Sequence, residues 1–354
     1  NPLRDCDALA TLYMVPCALC AQAGLGSPWQ APVPCGDVAG DGYVYSDKID
    51  EADRQRSREV GPRPGQCRWP TAILRSRIII AAHKRKKESI HMRRALDALD
   101  ESGFATVERV LSNSECQRAL STLRDDPAAT HAHSDFMWNI RTHPNVLNAF
   151  SRVWQCPASC LLSSFDGAGF RQANDKGFVL GWHVDQNGTH EVGRVCVQGV
   201  LTLAQMNAET GGTAFIEGSH VHHESVCRRL CAADESLEEW EFVSIPKGDP
   251  ALVRAREVQP SIPPGTLLLW DSRTIHRVRP PRDVSTVRAV VYLSMVPRTF
   301  APPDVIARRV SAFNRGVPTT HWSSRFVDRG GGPVPPSRAT RASKSVKRLV
   351  GFDV

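Results

Sequence analysis

Between Leu161 and Ser294 the chain breaks into short apolar runs separated by Gly, Asn and Pro turns, and this spacing limits the possible folds more than any other feature. The runs are Leu161–Phe165, Gly181–Val184, Val195–Leu203, Thr213–Ile216, Gly265–Trp270 and Val287–Met295. Strands at such intervals point to an all-β barrel or jelly roll rather than to βαβ units. Helical patterns flank them. Thr71 to about Leu99 reads as a helix, Gly103–Val110 alternates like a strand, and Ser112 or Asn113 is placed to cap a helix over Glu115–Leu123. Pro302–Phe313 also reads as a helix, and Gly330–Pro336 followed by Ser, Arg and Lys reads as a flexible tail.

The expected organisation is therefore an irregular Cys/Pro/Gly-rich extension with a basic helix over 1–99, a mainly β core with flanking helices over 100–326, and a flexible basic tail over 327–354. At 354 residues, 41% hydrophobic and 23% charged, the composition is that of a soluble globular protein able to bury a core without staples. No run of eighteen apolar residues is present, so no membrane span is expected. The chain opens at Asn1, which leaves any targeting segment unread; Asp5, Asp7 and Pro16 argue against a signal peptide in the apolar stretch Ala8–Ala23. Eleven cysteines, an odd and scattered set, suggest a reducing compartment, cytoplasmic or nuclear. The net charge of +7 is concentrated in residues 75–94 and 328–354, which carry +7 and +4 and leave a body of −4. That is not the profile of a uniformly basic nucleic-acid binder.

Chemistry concentrates at Trp182-His183-Val184-Asp185. Residues two apart on a strand share a face, so His183 and Asp185 can reach one ion. An imidazole and a carboxylate so placed are two members of a 2-His-1-carboxylate facial triad, the ligand set that leaves open positions on Fe(II). Pro263–His276 then reads as a turn, a buried strand and a histidine at the next strand edge, and makes His276 the third ligand candidate. Twelve residues on, past Pro280-Pro281, Arg288 opens another strand. A hairpin return of that length would set Arg288 close behind His276, where a buried guanidinium could fork onto a dicarboxylate. An ordinary edge-strand ion pair is the alternative for Arg288.

His-x-Asp alone is a weak signal, and the chain contains a second, His133-Ser-Asp135. It lies in Asp126–Ile140, which lacks strand alternation, so a solvated surface pair is expected there. His220, His222 and His223 read as a turn with exposed or hydrogen-bonded imidazoles, and His190 and His321 as surface or packing residues. Phe165, Asp166, Phe170 and Arg171 precede the metal strand and are candidates for the mouth. For Arg171 two roles stay open, an anionic substrate group or a loop carbonyl. Trp182 and Trp270 read as core.

The order His183-x-Asp185, Gly211–His220 with Glu217 where proline is common, Pro264–His276 and Arg288 resembles the phytanoyl-CoA dioxygenase family. The 91-residue separation of Asp185 from His276 and the opening Gly103–Leu111 are also similar to that family, over about residues 100–325. The resemblance implies a double-stranded β-helix (jelly roll, cupin-like) core. It implies Fe(II) on His183, Asp185 and His276, the distal carboxylate of 2-oxoglutarate on Arg288, and a further co-substrate contact at Gln198. With O2 as the other co-substrate, it implies a dioxygenase that hydroxylates a C–H bond of a small organic substrate and releases succinate and CO2. Halogenating relatives lack the carboxylate ligand, so Asp185 favours hydroxylation. Nothing visible marks a coenzyme A handle.

Two other readings stand beside this one. Arg282 and Arg288, six apart, are similar to the paired arginines of AlkB-like nucleic-acid demethylases, but those bring the distal histidine much nearer to His-x-Asp. Cys17-x-x-Cys20, with Cys35 and Cys67, could hold a structural zinc in a non-catalytic binding module, and Lys84–Lys87 could serve as a nuclear address or phosphate patch. Free thiols and a solvated helix face are the plainer account of the same residues. No partner protein can be inferred.

Overall fold

The computed structural model describes residues 91–175, 177, 179–330 and 332–354. A helix over residues 91–102 (α1) leads into β1 (Phe104–Val107), followed by α2 (Asn113–Asp125), α3 (Asp135–Arg141) and α4 (Pro144–Trp154). The strands β2 (Leu161–Ser163), β3 (Ala168–Arg171), β4 (Leu180–Val184), β5 (Val197–Thr202) and β6 (Gly212–Ile216) come next, and then α5 (His223–Ala233). After the short β7 (Val243–Ser244) and β8 (Glu257–Val258) come β9 (Leu267–Asp271), β10 (His276–Arg279) and β11 (Arg288–Pro297). The chain closes with α6 (Pro303–Arg315), α7 (Arg338–Ala342) and α8 (Lys344–Val350). Among the described residues no helix is long and apolar enough to cross a membrane.

The strands form two antiparallel sheets. One runs β1-β9-β5-β11-β2, with β3 also paired to β11, and the other runs β7-β4-β10-β6-β8. They face each other across aromatic rings: Phe104 stacks on Phe215 at 4.5 Å, and Phe215 lies 5.9 Å from Trp270. This is the expected jelly roll, a double-stranded β-helix with helices against one sheet.

Period-two alternation explains how one strand serves two cores. On β5 and β11, Val197, Leu201, Ala289, Val291, Leu293 and Met295 face the helices, packing with Leu99, Leu123, Met137, Trp138 and Phe150. Their neighbours Val200 and Val290 turn into the barrel with Phe215, Leu268 and Trp270. Burial on both faces is why these strands read as continuous apolar runs. At α2, Ser112 caps Glu115 N–H at 3.3 Å while the Glu115 carboxylate accepts from Ser112 N–H at 2.7 Å, a capping box that starts the helix where the sequence placed it. Gly265 turns the chain into β9 at φ +79°, and a Cβ there would stand 2.3 Å from the Leu111 carbonyl oxygen. Only glycine serves in that position.

Three expectations are corrected. The 99/100 boundary falls inside α1, whose Ala95 and Leu99 are buried in the main core. The hairpin expected between His276 and Arg288 does not form, because β10 pairs with β4 and β6 whereas β11 pairs with β5, β2 and β3 in the other sheet. Pro280 and Pro281 have no N–H to extend the β10 ladder, and the chain crosses between sheets there. Finally, within the flexible tail expected over 327–354, Arg338–Ala342 and Lys344–Val350 are helical and packed on the core. Val346, Leu349 and Val350 are buried, and the Arg309 guanidinium donates to the Leu349 and Val350 carbonyls at 3.1 and 3.0 Å. An apolar stripe at helical spacing is hidden there among six basic residues, and counting charge alone does not reveal it. The cysteines Cys17, Cys20, Cys35 and Cys67, and Lys84–Lys87, lie outside the described residues.

Leu349→Ala should therefore cost about 2–5 kcal/mol of stability, whereas Arg348→Ala, on the exposed face, should stay within about 0.5 kcal/mol; urea unfolding of the two variants measures the difference.

Candidate metal centre

The centre is assembled from two neighbouring strands and the residue after one of them. β10 pairs with β4 so that His276 lies opposite His183, and their rings stand 4.1 Å apart. Asp185 follows β4 directly, its N–H donating to the Ser272 carbonyl at 3.1 Å, and its carboxylate turns back to both imidazoles. His276 Nε2 is 3.1 Å from Asp185 Oδ2, and His183 Nε2 is 3.7 Å from Oδ1. One donor atom from each of the three residues lies within 4.8 Å of the others, the only such group among the described residues.

Each imidazole has its tautomer set by the carbonyl two residues before it. His183 Nδ1 donates to the Gly181 carbonyl at 2.7 Å, and His276 Nδ1 donates to the Thr274 carbonyl at 2.9 Å. Both Nε2 lone pairs are thereby free to face the common point, as metal ligation requires. Burial, with His276 alongside, pushes His183 down to about 3, so it is neutral at neutral pH. Burial opposes the charge on Asp185, yet the facing imidazoles of His183, His276 and His321 draw it well below the usual carboxylate range. Two imidazole nitrogens and one carboxylate oxygen are the donor set of a divalent-metal site. Phe242 stacks on His183 at 4.6 Å and Trp270 lies 5.5 Å from His276, which holds both rings in place.

Gln198 is at the centre, with its amide Nε2 donating to Asp185 Oδ2 at 2.7 Å. Arg288 lies on β11, pointing into the same barrel from the opposite sheet. No carboxylate of the described residues pairs with it; Nη1 lies 3.5 Å from the Tyr292 hydroxyl and Nε is buried without a partner. The edge ion pair considered for Arg288 is absent among the described residues. Arg171 takes the loop role, donating to the carbonyls of Gln172, Asp175, Thr210 and Val284 and to the Thr286 hydroxyl. Arg282 is exposed, 3.8 Å from Glu209.

His133 and Asp135 do not form a site. His133 is buried among Phe165, Trp138 and Phe313 with Nε2 on the Val317 carbonyl at 2.9 Å, and Asp135 accepts from Ser337 and Thr340. Phe165 belongs to that aromatic cluster and Phe170 packs on the helix side, so neither lines a mouth. His220 and His223 are buried and bonded to the carbonyls of Asp100 and Gln186, while His222 and His190 are exposed. Trp270 is core, and Trp182 carries the Arg277 guanidinium 4.4 Å from its ring centroid.

His321 is the residue that sequence reasoning missed. Its ring hydrogen-bonds the Asp185 main chain, and its Nε2 is buried without a partner. The segment carrying it is tied down on both sides: Thr319 N–H donates to the Phe165 carbonyl at 2.9 Å, and the Ser323 hydroxyl donates to the Ser294 carbonyl at 2.9 Å. Arg309 adds a bond to the Ser323 carbonyl at 2.9 Å, and Arg325 pairs with Glu191 and Glu241. No motif precedes or follows His321 that would have marked it.

Comparison with known proteins gives a family match. The phytanoyl-CoA dioxygenase family model matches residues 99–282, just over half of the chain. A curated relative, Ava biosynthesis cluster protein O of Aspergillus versicolor, is 29% identical over 207 residues, which is 55% of this chain and 65% of that protein. The chain thus spans somewhat under two thirds of that relative's length. Among solved structures, the epimerase SnoN in complex with Fe3+, alpha ketoglutarate and nogalamycin RO is 16% identical with a TM-score of 0.45, covering 58% of this chain and 83% of that one. Apo EctD from S. alaskensis is 19% identical with a TM-score of 0.42, covering 58% and 76%.

The buried His133 predicts a pH dependence. Burial lowers its pKa from 6.5 to about 4, so between these values the unfolded chain binds a proton that the folded chain refuses. Stability is complete above about pH 6.5 and falls as pH drops toward 4, by about 3 kcal/mol from this residue. Urea unfolding across that range should show a shallower acid loss in His133→Gln than in the parent.

Proposed function

The chain belongs to the phytanoyl-CoA dioxygenase family, and from this we propose that it is an oxygenase that uses Fe(II) and 2-oxoglutarate to hydroxylate a C–H bond of a small organic substrate. The observation that carries the reading is the convergence of His183 Nε2, His276 Nε2 and the Asp185 carboxylate on one point, with both Nδ1 protons committed elsewhere. This donor set fits Fe(II), and Arg288, with a buried and unpartnered Nε, fits the distal carboxylate of 2-oxoglutarate. With iron, 2-oxoglutarate and O2 bound, the chemistry supplied is oxidative decarboxylation of the 2-oxo acid to succinate and CO2, coupled to insertion of the second oxygen atom into a C–H bond.

The chain's own residues orient and enclose. Gly181 and Thr274 carbonyls hold the imidazole tautomers, and the Gln198 amide holds Asp185 Oδ2, which restrains the carboxylate from rotating. Phe215, Trp270 and Phe242 exclude water around the two histidines. Arg288 gives the co-substrate its polarity, so that its oxo acid end is directed to the ligands. The curated relative's name refers to a biosynthesis cluster, which supports a small molecule as substrate. The nucleic-acid reading gains nothing, since Arg282 is spent at the surface on Glu209.

The decisive experiment is anaerobic loading with Fe(II) and 2-oxoglutarate followed by admission of O2. Succinate should form in the parent and fall by roughly a hundred-fold or more in His276→Ala, while His133→Gln should retain it. Succinate formation that survives His276→Ala would refute the site. Gln198→Ala should weaken Fe(II) binding roughly ten- to hundred-fold in an anaerobic titration, because Asp185 loses its amide donor.

A further inference from the structure

The segment 319–325 lies against the candidate ligands of β4, although it is anchored elsewhere. Thr319 exchanges two hydrogen bonds with Phe165: its N–H donates to the carbonyl at 2.9 Å, and its hydroxyl accepts from the Phe165 N–H at 3.0 Å. Trp322 is buried, and the Ser323 hydroxyl donates to the Ser294 carbonyl at 2.9 Å. From this fixed backbone His321 and Arg325 reach the two ends of the ligand pair.

Asp185 needs such a neighbour, because β4 ends at Val184 and its ladder no longer fixes the next residue. The Asp185 N–H donates to the Ser272 carbonyl at 3.1 Å, and the Asp185 carbonyl accepts from the His321 ring. His321 Nε2 is buried without a partner, so Nδ1 is the donor. With both main-chain groups bonded, the peptides on either side of Asp185 are fixed, and with them the direction in which its carboxylate leaves the chain. Arg325 makes the second tie. Its guanidinium lies 4.6 Å from the Trp322 ring centroid and forks onto Glu191 and Glu241, one carboxylate on each terminal nitrogen. Glu191 belongs to the loop that Asp185 opens, where Gln186 Nε2 donates to the Glu191 carbonyl at 3.2 Å. Glu241 precedes Phe242, the ring that stacks on His183 at 4.6 Å. One arginine therefore joins the loop after one ligand candidate to the ring that backs another. All three side chains are half-buried, where salt screens an ion pair less than at the open surface.

We propose that His321 and Arg325 are positioning residues for the metal centre, clasping Asp185 and His183 from a segment outside the ligand-bearing strands and so setting the affinity for a divalent ion. Their role rests on the metal site proposed above. His321 acts through the main chain of Asp185 and gives no donor to the ion, since it lies outside the group whose donor atoms are within 4.8 Å of one another. Its two nitrogens can be separated by substitution. The side-chain amide nitrogen of asparagine is as many bonds from Cα as Nδ1 and can keep the bond to the Asp185 carbonyl; that of glutamine stands one bond further out, near the place of Nε2, and cannot.

The test is an anaerobic titration of the metal-free protein with Co(II), read from the visible absorbance of the bound ion, which reports coordination directly and requires neither co-substrate nor substrate. His321→Ala and His321→Gln should each weaken Co(II) binding roughly ten-fold or more and shift the absorbance bands, while His321→Asn should stay within about three-fold of the parent. Arg325→Ala should also weaken Co(II) binding, by roughly ten-fold. Where His321→Ala fails to fold, the contrast between the asparagine and glutamine variants decides, because both keep a polar side chain of similar size. Equal Co(II) affinity in His321→Asn and His321→Gln, or parent-like affinity in His321→Ala, would overturn the role of His321. Parent-like affinity in Arg325→Ala would overturn that of Arg325. A parent protein that binds no Co(II), or that binds it undiminished after His276→Ala, would instead refute the metal site itself.

Discussion

The register of β10 on β4 is the constraint on which the rest depends. Antiparallel pairing puts His276 directly opposite His183, and a slip by one residue would turn one imidazole to the other face of the sheet. Within that register each strand orients its own histidine, because a carbonyl two residues earlier takes the Nδ1 proton. Asp185, just past the end of β4, then has one direction in which to close the set. The opposing sheet completes the arrangement from above through Gln198. A site built from backbone ladders and one amide bridge is rigid before any ligand arrives, so little ordering entropy is left to lose on binding.

The outer layers hold this barrel by an unusual use of arginine. Arg141 and Arg309 are fully buried with no carboxylate partner among the described residues, and burial draws both down to about 9. Their protons go to main-chain carbonyls instead: Ala132 and Asp166 for Arg141, and Ser163, Ser323, Leu349 and Val350 for Arg309. Arg309 alone therefore joins α6, β2, α8 and the segment that carries His321. A guanidinium suits such a junction because its five N–H groups spread in a plane and can satisfy several chain ends at once. The desolvation this requires is large, and the four carbonyls it satisfies would otherwise be left without donors in the same buried region.

Much of the architecture was legible in particular residues. The six apolar runs correspond to β2, β4, β5, β6, β9 and β11, and Ser112 is the cap of α2. Their legibility has a physical cause: strands buried on both faces have to be apolar throughout, and a helix start needs a side-chain acceptor. β3, β7 and β8 were not legible, being two to four residues long and half-exposed, with too little side-chain pattern to register. The C-terminal helices were obscured for a different reason. Their buried positions Val346, Leu349 and Val350 are outnumbered by lysines and arginines that project outward, so composition conveyed the solvent face and not the packed one.

The candidate metal-binding residues belong to what the sequence by itself determined. His183-x-Asp185 depends on strand periodicity, and His276 on the buried strand that precedes it, and both are local properties of the chain. Gln198 was placed only by resemblance to a family, and its hydrogen bond to Asp185 became visible only with the two sheets apposed. His321 and Arg325 were decided by tertiary structure alone. His321 reaches Asp185 because Thr319, Ser323 and Arg309 tie down a segment far along the chain, and Arg325 meets Glu191 and Glu241 only where that segment lies against their two loops. Local periodicity sets which face a side chain takes, but the distance between faces of different elements comes from packing, and no pattern within one segment encodes it.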